Sequence, residues 1–177
     1  MKENTESSRT EYTHVFHTFD PVCDQNSQIL ILGSFPSVKS RENCFYYGHP
    51  QNRFWKVVAG VFGERVPETI EEKKRFLLNC RVAVWDVIAS CDIIGSSDSS
   101  IKNVTANDMD IILSRADIKA IYANGEKAYR LFLKYCIKEG QPEIYKLPST
   151  SPANAAWSVE RLTGAWRDAF RQGGMTL

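Results

Sequence analysis

SQILILGSFPS, Ser27 to Ser37, is the stretch that decides the fold. Ile29 to Leu32 form an unbroken apolar run, and Gly33, Ser34, Pro36 and Ser37 close it. A short apolar run bounded by Gly and Pro reads as a buried strand, here over Gln28 to Leu32, running into a loop. Downstream, strand-like and helix-like segments alternate. NRFWKVVAGVFGE sets Phe54, Trp55, Val58, Val61 and Phe62 at helical spacing, with Asn52 as a candidate N-cap and Gly63 as a stop. PETIEEKKRFLLNC is a second helix with Pro67 near its start and acids in its first turn. Val82 to Val87 form a strand, and GSSDSSIKNVTAND is expected as a long polar loop before a short helix capped by Asn107. IKAIYANG is a strand, the next helix ends at Gly140, EIYKLPSTSPANA is a short strand running into a Pro/Ser loop, and a last helix closes the chain.

Strands alternating with helices predict an α/β protein: a mainly parallel sheet of about four strands with helices on both faces. Ligands of such sheets sit outside the carboxyl ends of the strands. Four loops leave those ends, over residues 33–52, 86–103, 123–125 and 147–156, and all are rich in Gly, Ser, Pro and Asn. The first contains FYYGHPQNRFW, Phe45 to Trp55, where five aromatic residues surround Gly48, His49, Pro50 and Asn52. Gly and Pro do not suit a core helix, and a solvated loop has no use for so many rings. The stretch reads as a rigid aromatic turn feeding a helix.

The chain has 177 residues, the length of one domain, with residues 1–14 read as a flexible tail. No apolar run approaches the roughly 20 residues of a membrane span, and the polar N-terminus lacks a signal-peptide core. Cys23, Cys44, Cys80, Cys91 and Cys136 are scattered and odd in number, which points to reduced thiols in a cytoplasm. No Cys or His spacing suits a metal, so no metal and no cofactor are expected. The net charge of +1 gives no bulk-basic signature, which leaves room only for a local basic patch. His14 and His17 are expected at the surface.

GSFPS after a strand, then YYGHPQNRFW, then a late LPSTSPANA resemble the uracil-DNA glycosylase superfamily, and most closely its hypoxanthine (deoxyinosine) branch. The resemblance runs from Ile29 to Trp157. It implies a three-layer α/β/α sandwich, a monomer acting on DNA that contains a deaminated base, and a pocket for the flipped base at the strand ends. By resemblance Tyr47 is the aromatic that stacks on that base. The superfamily position that orients the attacking water is Phe35 here, and the position whose His stabilises departing uracil is Leu147. Both departures argue against efficient uracil excision and for deoxyinosine. In that branch Asn52 is the implied catalytic amide, and the base-reading position falls on Asp86. A carboxylate there accepts the N1–H that hypoxanthine has and adenine lacks.

Breaking an N-glycosidic bond builds positive charge on the sugar and negative charge on the base. Water held by the neutral amide oxygen of Asn52 suffices as nucleophile for such a cation. Backbone N–H groups of Gly33, Ser34, Phe35, Pro36 and Ser37, the proline excepted, suit the leaving charge. Tyr47 and Phe35 are expected as the two walls of the base slot, with Gly48, His49 and Ser149 completing it. Ser37, Lys39, Ser151, Pro152, Ala153 and Asn154 are expected to touch DNA, the last three as a small wedge.

Other readings remain at this level. Asn52 is either a catalytic amide or only a helix cap. Asp86 is a base reader or a loop cap. His49 reads as a hydrogen-bonded turn residue. The sequence also allows a uracil or G:T/U mismatch glycosylase, a nucleophilic hydrolase using Cys44 or Ser34 with His49, and a catalytically silent nucleic-acid-binding module.

Overall fold

The structure is a computed structural model and describes residues 11–177. In chain order the elements are β1 (Thr13–Phe16), β2 (Ile29–Gly33), α1 (Val38–Asn43), α2 (Phe54–Phe62), α3 (Ile70–Asn79), β3 (Val82–Asp86), β4 (Ile88–Ile93), β5 (Lys102–Ala106), α4 (Asp110–Leu113), β6 (Ala120–Asn124), α5 (Glu126–Tyr135), β7 (Glu143–Leu147) and α6 (Val159–Gln172), with a 3₁₀ turn at Asp98–Ser100. β3, β2, β6 and β7 form, in that order, an all-parallel sheet. Every residue of β2 and β3 is buried, as unbroken apolar runs at a sheet centre require.

The β2-to-β3 and β6-to-β7 crossovers run in opposite directions across the sheet. Right-handed crossovers then put their helices on opposite faces, giving three layers. α6 returns to lie beside α2. Trp166 packs edge-on against Phe54 at 5.9 Å, and Arg167 donates to the carbonyl of Gly60 at 2.7 Å. Because the chain leaves β2 and β6 in opposite directions, a crevice opens between their carboxyl ends.

Local signals set most boundaries. Gly63 ends α2 in the left-handed region (φ 68°), where a residue without Cβ costs least. Thr69 and Glu72 form a capping box at the start of α3, and Ser158 caps α6. Asn52 caps without being the formal cap residue: Arg53 holds that position, while the Asn52 side chain accepts the Phe54 N–H at 2.9 Å.

Several expectations are overturned. The strand expected to reach Val87 ends at Asp86, and the chain turns at once into β4, which pairs with β1 and β5 in a second, antiparallel sheet. The expected polar loop therefore contains β5, whose exposed, mixed pattern hid it. Residues 1–10 of the expected tail lie outside the described residues, but its last two, Thr13 and His14, begin β1 and pair with Ile93 and Asp92. Asn107 caps no helix; its amide donates to the carbonyls of Asp86 and Ile88 and holds the turn between the sheets. α5 ends at Tyr135, before Gly140. No helix among the described residues is long and apolar enough to cross a membrane.

Candidate active site

A cavity of about 270 Å³ opens at the carboxyl edge of the parallel sheet. Ligand pockets run from about 300 Å³ upward, so this one suits a single ring system. The loop after β2 contributes Gly33, Ser34, Phe35, Pro36 and Ser37, and the aromatic turn contributes Tyr47, His49 and Asn52. Asp86 and Asn124 stand at the ends of β3 and β6, Ser149 to Pro152 follow β7, and Asp98 comes from the β4–β5 connection.

One buried polar network ties three of these loops together. Thr150 is fully buried, and its hydroxyl accepts from the Asn124 amide and donates to Asn52 Oδ1, each at 2.9 Å. The Thr150 N–H donates to Asn124 Oδ1 at 3.0 Å. Phe54 N–H is an unambiguous donor, so the oxygen of Asn52 must face it, and that oxygen carries two hydrogen bonds. The expected role of this oxygen as water holder is thereby displaced, because both of its lone pairs are taken. The Asn52 NH₂ is the half of the amide without a partner among the described residues.

Asp86 is 4% exposed, and its Oδ2 meets His17 Nε2 at 2.8 Å. Facing a carboxylate, Nε2 carries the proton and donates. The expected surface position of His17 is wrong: its side chain is 3% exposed, walled by Phe19, Phe35 and Tyr46. Nothing near it in sequence signals this, since it follows an edge strand of the second sheet. Gly33 is needed where it stands: a Cβ there would lie 2.3 Å from Asp86 Oδ1.

Tyr47 sits in the left-handed region (φ 51°), which an L side chain adopts only when its surroundings enforce it. Phe54 stacks on its ring at 3.8 Å, so at most one face is left for a base. Its hydroxyl is buried without a hydrogen-bond partner among the described residues. Burial, and then the charge of Asp86, push that phenol well above its ordinary range, so it stays protonated. Phe35 also lines the cavity, with the Arg41 guanidinium 5.4 Å from its ring centre. Arg41 also donates to the carbonyls of Pro36 and Gly95.

Gly48, Lys39, Ala153 and Asn154 do not reach the cavity. Gly48 N–H donates to Ser40 Oγ, Lys39 pairs with Glu42, and the Asn154 amide closes its own loop on the Ser149 carbonyl. Ser149 and Ser151 accept from the N–H groups two residues on, the turn role any such cluster can play. His49 Nδ1 accepts the Gln51 N–H at 3.1 Å, as its reading as a turn residue requires. Cys44 is exposed and outside the cavity lining, which leaves a Cys44–His49 nucleophile without geometric support. Leu147 is buried in the core at the end of β7 and offers nothing to a leaving base.

Sequence reasoning missed Asn124, Asp98 and Arg53, and gave Thr150 and His17 no place in the pocket. Arg53 begins α2 and staples the loop after β7, donating to the carbonyls of Thr150, Ser151, Asn154 and Trp157. Asn124 was findable, like Asp86, as a polar residue ending an apolar strand on the site face. Among the described residues no group of three or more His, Cys, Asp or Glu side chains is placed to hold a metal.

A three-layer α/β fold with an aromatic-lined cavity at its switch point belongs to the class of open-sheet α/β proteins that bind their ligands at the strand ends. The profile of the Uracil DNA glycosylase superfamily matches residues 20–170, and the chain belongs to that superfamily. It is similar to a protein named hypoxanthine DNA glycosylase from Methanosarcina acetivorans, at 36% identity over 155 residues, covering 86% of this chain and 96% of the relative. A protein of the same name from Methanosarcina barkeri is 33% identical over 157 residues, covering 87% and 97%. The solution NMR structure of a candidate uracil DNA glycosylase from Methanosarcina acetivorans superposes with a TM-score of 0.71 at 34% identity, covering 89% of this chain and 97% of that one.

Proposed function

We propose that this chain is a monofunctional DNA glycosylase that hydrolyses the N-glycosidic bond of deaminated bases, deoxyinosine first, as the opening step of base excision repair. The observation that carries the reading is Asp86. His17 holds one of its oxygens, and the other, beside Gly33, has no hydrogen-bond partner among the described residues and is an acceptor within the cavity. A fixed acceptor suits the N1–H of hypoxanthine and repels the bare N1 of adenine. The two relatives named hypoxanthine DNA glycosylase support the same substrate.

In this reading the flipped base lies against Phe35 and the free face of Tyr47, which offsets part of the unstacking. The Asn52 NH₂ and the amides after β2 donate to the base as negative charge develops on it. No lysine lines the cavity among the described residues, so water is the nucleophile. Phe35 and the buried Leu147 withhold the groups that uracil excision uses, and uracil is a poor substrate. The chain works as a monomer, and its five free thiols fit the reducing cytoplasm. Pro152 and its neighbours form a small wedge, so mismatched or single-stranded sites are cut faster than well-paired ones.

Single-turnover assays on labelled DNA containing hypoxanthine, xanthine or uracil test the reading. Hypoxanthine is released first, leaving an intact strand that breaks only on alkali or heat. No release of any deaminated base would sink it, and a covalent adduct trapped by borohydride would remove the water mechanism.

A further inference from the structure

Excision by water needs an acceptor that can hold the water and take its proton. Apart from hydroxyls, the cavity-lining side chains with acceptor atoms are His49, Asn52, Asp86, Asp98 and Asn124. His49 Nδ1 is taken by Gln51 N–H, Asn52 Oδ1 by Thr150 and Phe54, and Asn124 Oδ1 by Thr150 N–H. Asn124 Oδ1 keeps a second lone pair, but a neutral amide takes no proton; among the described residues, two lining carboxylates can both hold the water and take its proton. Asp86 is buried at the end of β3, against Gly33, where the base edge belongs. Asp98 stands at the rim: it is exposed, it lines the cavity, and its Oδ1 faces Ser34 Oγ.

The loop that carries Asp98 is built, not draped. Ser34 Oγ lies 3.4 Å from Asp98 Oδ1. Ser96 Oγ accepts the Val38 N–H at 2.9 Å, and Ser100 Oγ accepts the Ile94 N–H at 2.9 Å and donates to the Ser97 carbonyl at 2.7 Å. These bonds tie the loop down and set the Asp98 carboxyl beside Ser34 at the mouth of the cavity.

We propose that Asp98 is the catalytic residue that orients the attacking water and accepts its proton. This rests on the glycosylase reading above. As the C1′–N9 bond breaks, its electron pair goes to the purine, and the anionic Asp98 faces the cationic sugar. The water oxygen then bonds to C1′, one water proton passes to the Asp98 carboxylate, and that proton leaves through solvent to the purine anion. The products are hypoxanthine and an abasic deoxyribose, and no further reactant is needed.

Crowding by the cavity wall raises the Asp98 carboxyl above the usual carboxylate range; the Ser34 hydroxyl and Lys127 of α5 pull it down less, and Asp86 adds to the rise. The other charged or titratable groups around it are Tyr46, Tyr47 and His49 in the aromatic turn, Cys91 in β4, and Arg41 of α1, whose guanidinium is turned to carbonyls. Since Asp98 acts only when ionised, the chemical step climbs as pH rises through its pKa.

The test is the single-turnover rate on deoxyinosine DNA from pH 5 to 9 for wild type, Asp98→Asn and Asp98→Glu, with binding to a non-cleavable 2′-fluoro-deoxyinosine duplex measured alongside. General-base catalysis is worth about 10²–10⁴-fold, so Asp98→Asn loses at least about 100-fold in rate and its acid limb, with binding within about threefold. Asp98→Glu recovers part of the rate and keeps an acid limb. A wild type that cuts while Asp98→Asn cuts within about threefold, or keeps the same acid limb, overturns the role of Asp98 alone. A wild type that releases no deaminated base overturns the glycosylase reading and this role with it.

Discussion

Thr150→Val removes one hydroxyl and almost no volume from the network that joins the loops after β6 and β7 to the start of α2. Two hydrogen bonds of 2.9 Å vanish, from the Asn124 amide and to Asn52 Oδ1. The Thr150 N–H keeps its bond to Asn124 Oδ1, so the loop stays attached by its backbone. Each loss costs about 1–2 kcal/mol, the net worth of the bond rising towards the penalty of an orphaned buried partner, so the two together cost about 2–4 kcal/mol at a site with no exposure. With a urea slope of about 2 kcal/mol/M, the unfolding midpoint falls by about 1–2 M. Asn52 retains only Phe54 N–H as a tether, so the single-turnover rate falls about tenfold, while Thr150→Ser, which keeps the hydroxyl, stays close to wild type. Equilibrium urea unfolding and excision kinetics on the three proteins check this. If Thr150→Val unfolds within about 0.5 kcal/mol of wild type and cuts at the same rate, the network does not hold Asn52 and the reasoning fails.

Gly33→Ala drives a Cβ into Asp86 Oδ1, so hypoxanthine capture weakens at least about tenfold with the fold retained, as titration against a non-cleavable duplex will measure; unchanged capture would show that Asp86 does not read the base. Arg53→Met strips four carbonyls of a charged donor, and proteolysis should cut the 149–157 loop faster while the parallel sheet stays protected; an unaltered cleavage map refutes the staple. Cys44 is the exposed thiol and should be alkylated first at pH 8 with activity kept, which mass spectrometry beside the excision assay would establish; lost activity would revive a thiol nucleophile. Burial pushes Cys80 and Cys136 up to about 11 from 9.0. The unfolded chain therefore loses these protons first, and stability falls as pH rises from about 9 towards 11; urea midpoints that stay flat across that window contradict it.

The sequence by itself determined the parallel sheet and where its site lies. Ile29 to Leu32, Val82 to Trp85 and Ala120 to Ala123 are unbroken apolar runs, and such runs have little option but to be buried on both faces. The loops that stop them carry Gly33, Asn52, Asp86 and Ser149, and all four meet in the cavity, because in a parallel sheet every strand delivers its end to one edge. Tertiary structure alone decided what those side chains can do. The chemistry of Asn52 depends on Thr150, 98 residues away, which takes its oxygen. Asp86 depends on His17, 69 residues away, whose own segment looks like a polar tail. Asp98 lies in a serine-rich run with no apolar pattern, and the antiparallel sheet brings it to the mouth of the cavity. Hydrophobic period is local and survives in the sequence as spacing; a hydrogen-bond partner is chosen by whichever distant group the packed chain sets within 3 Å, and no spacing records it.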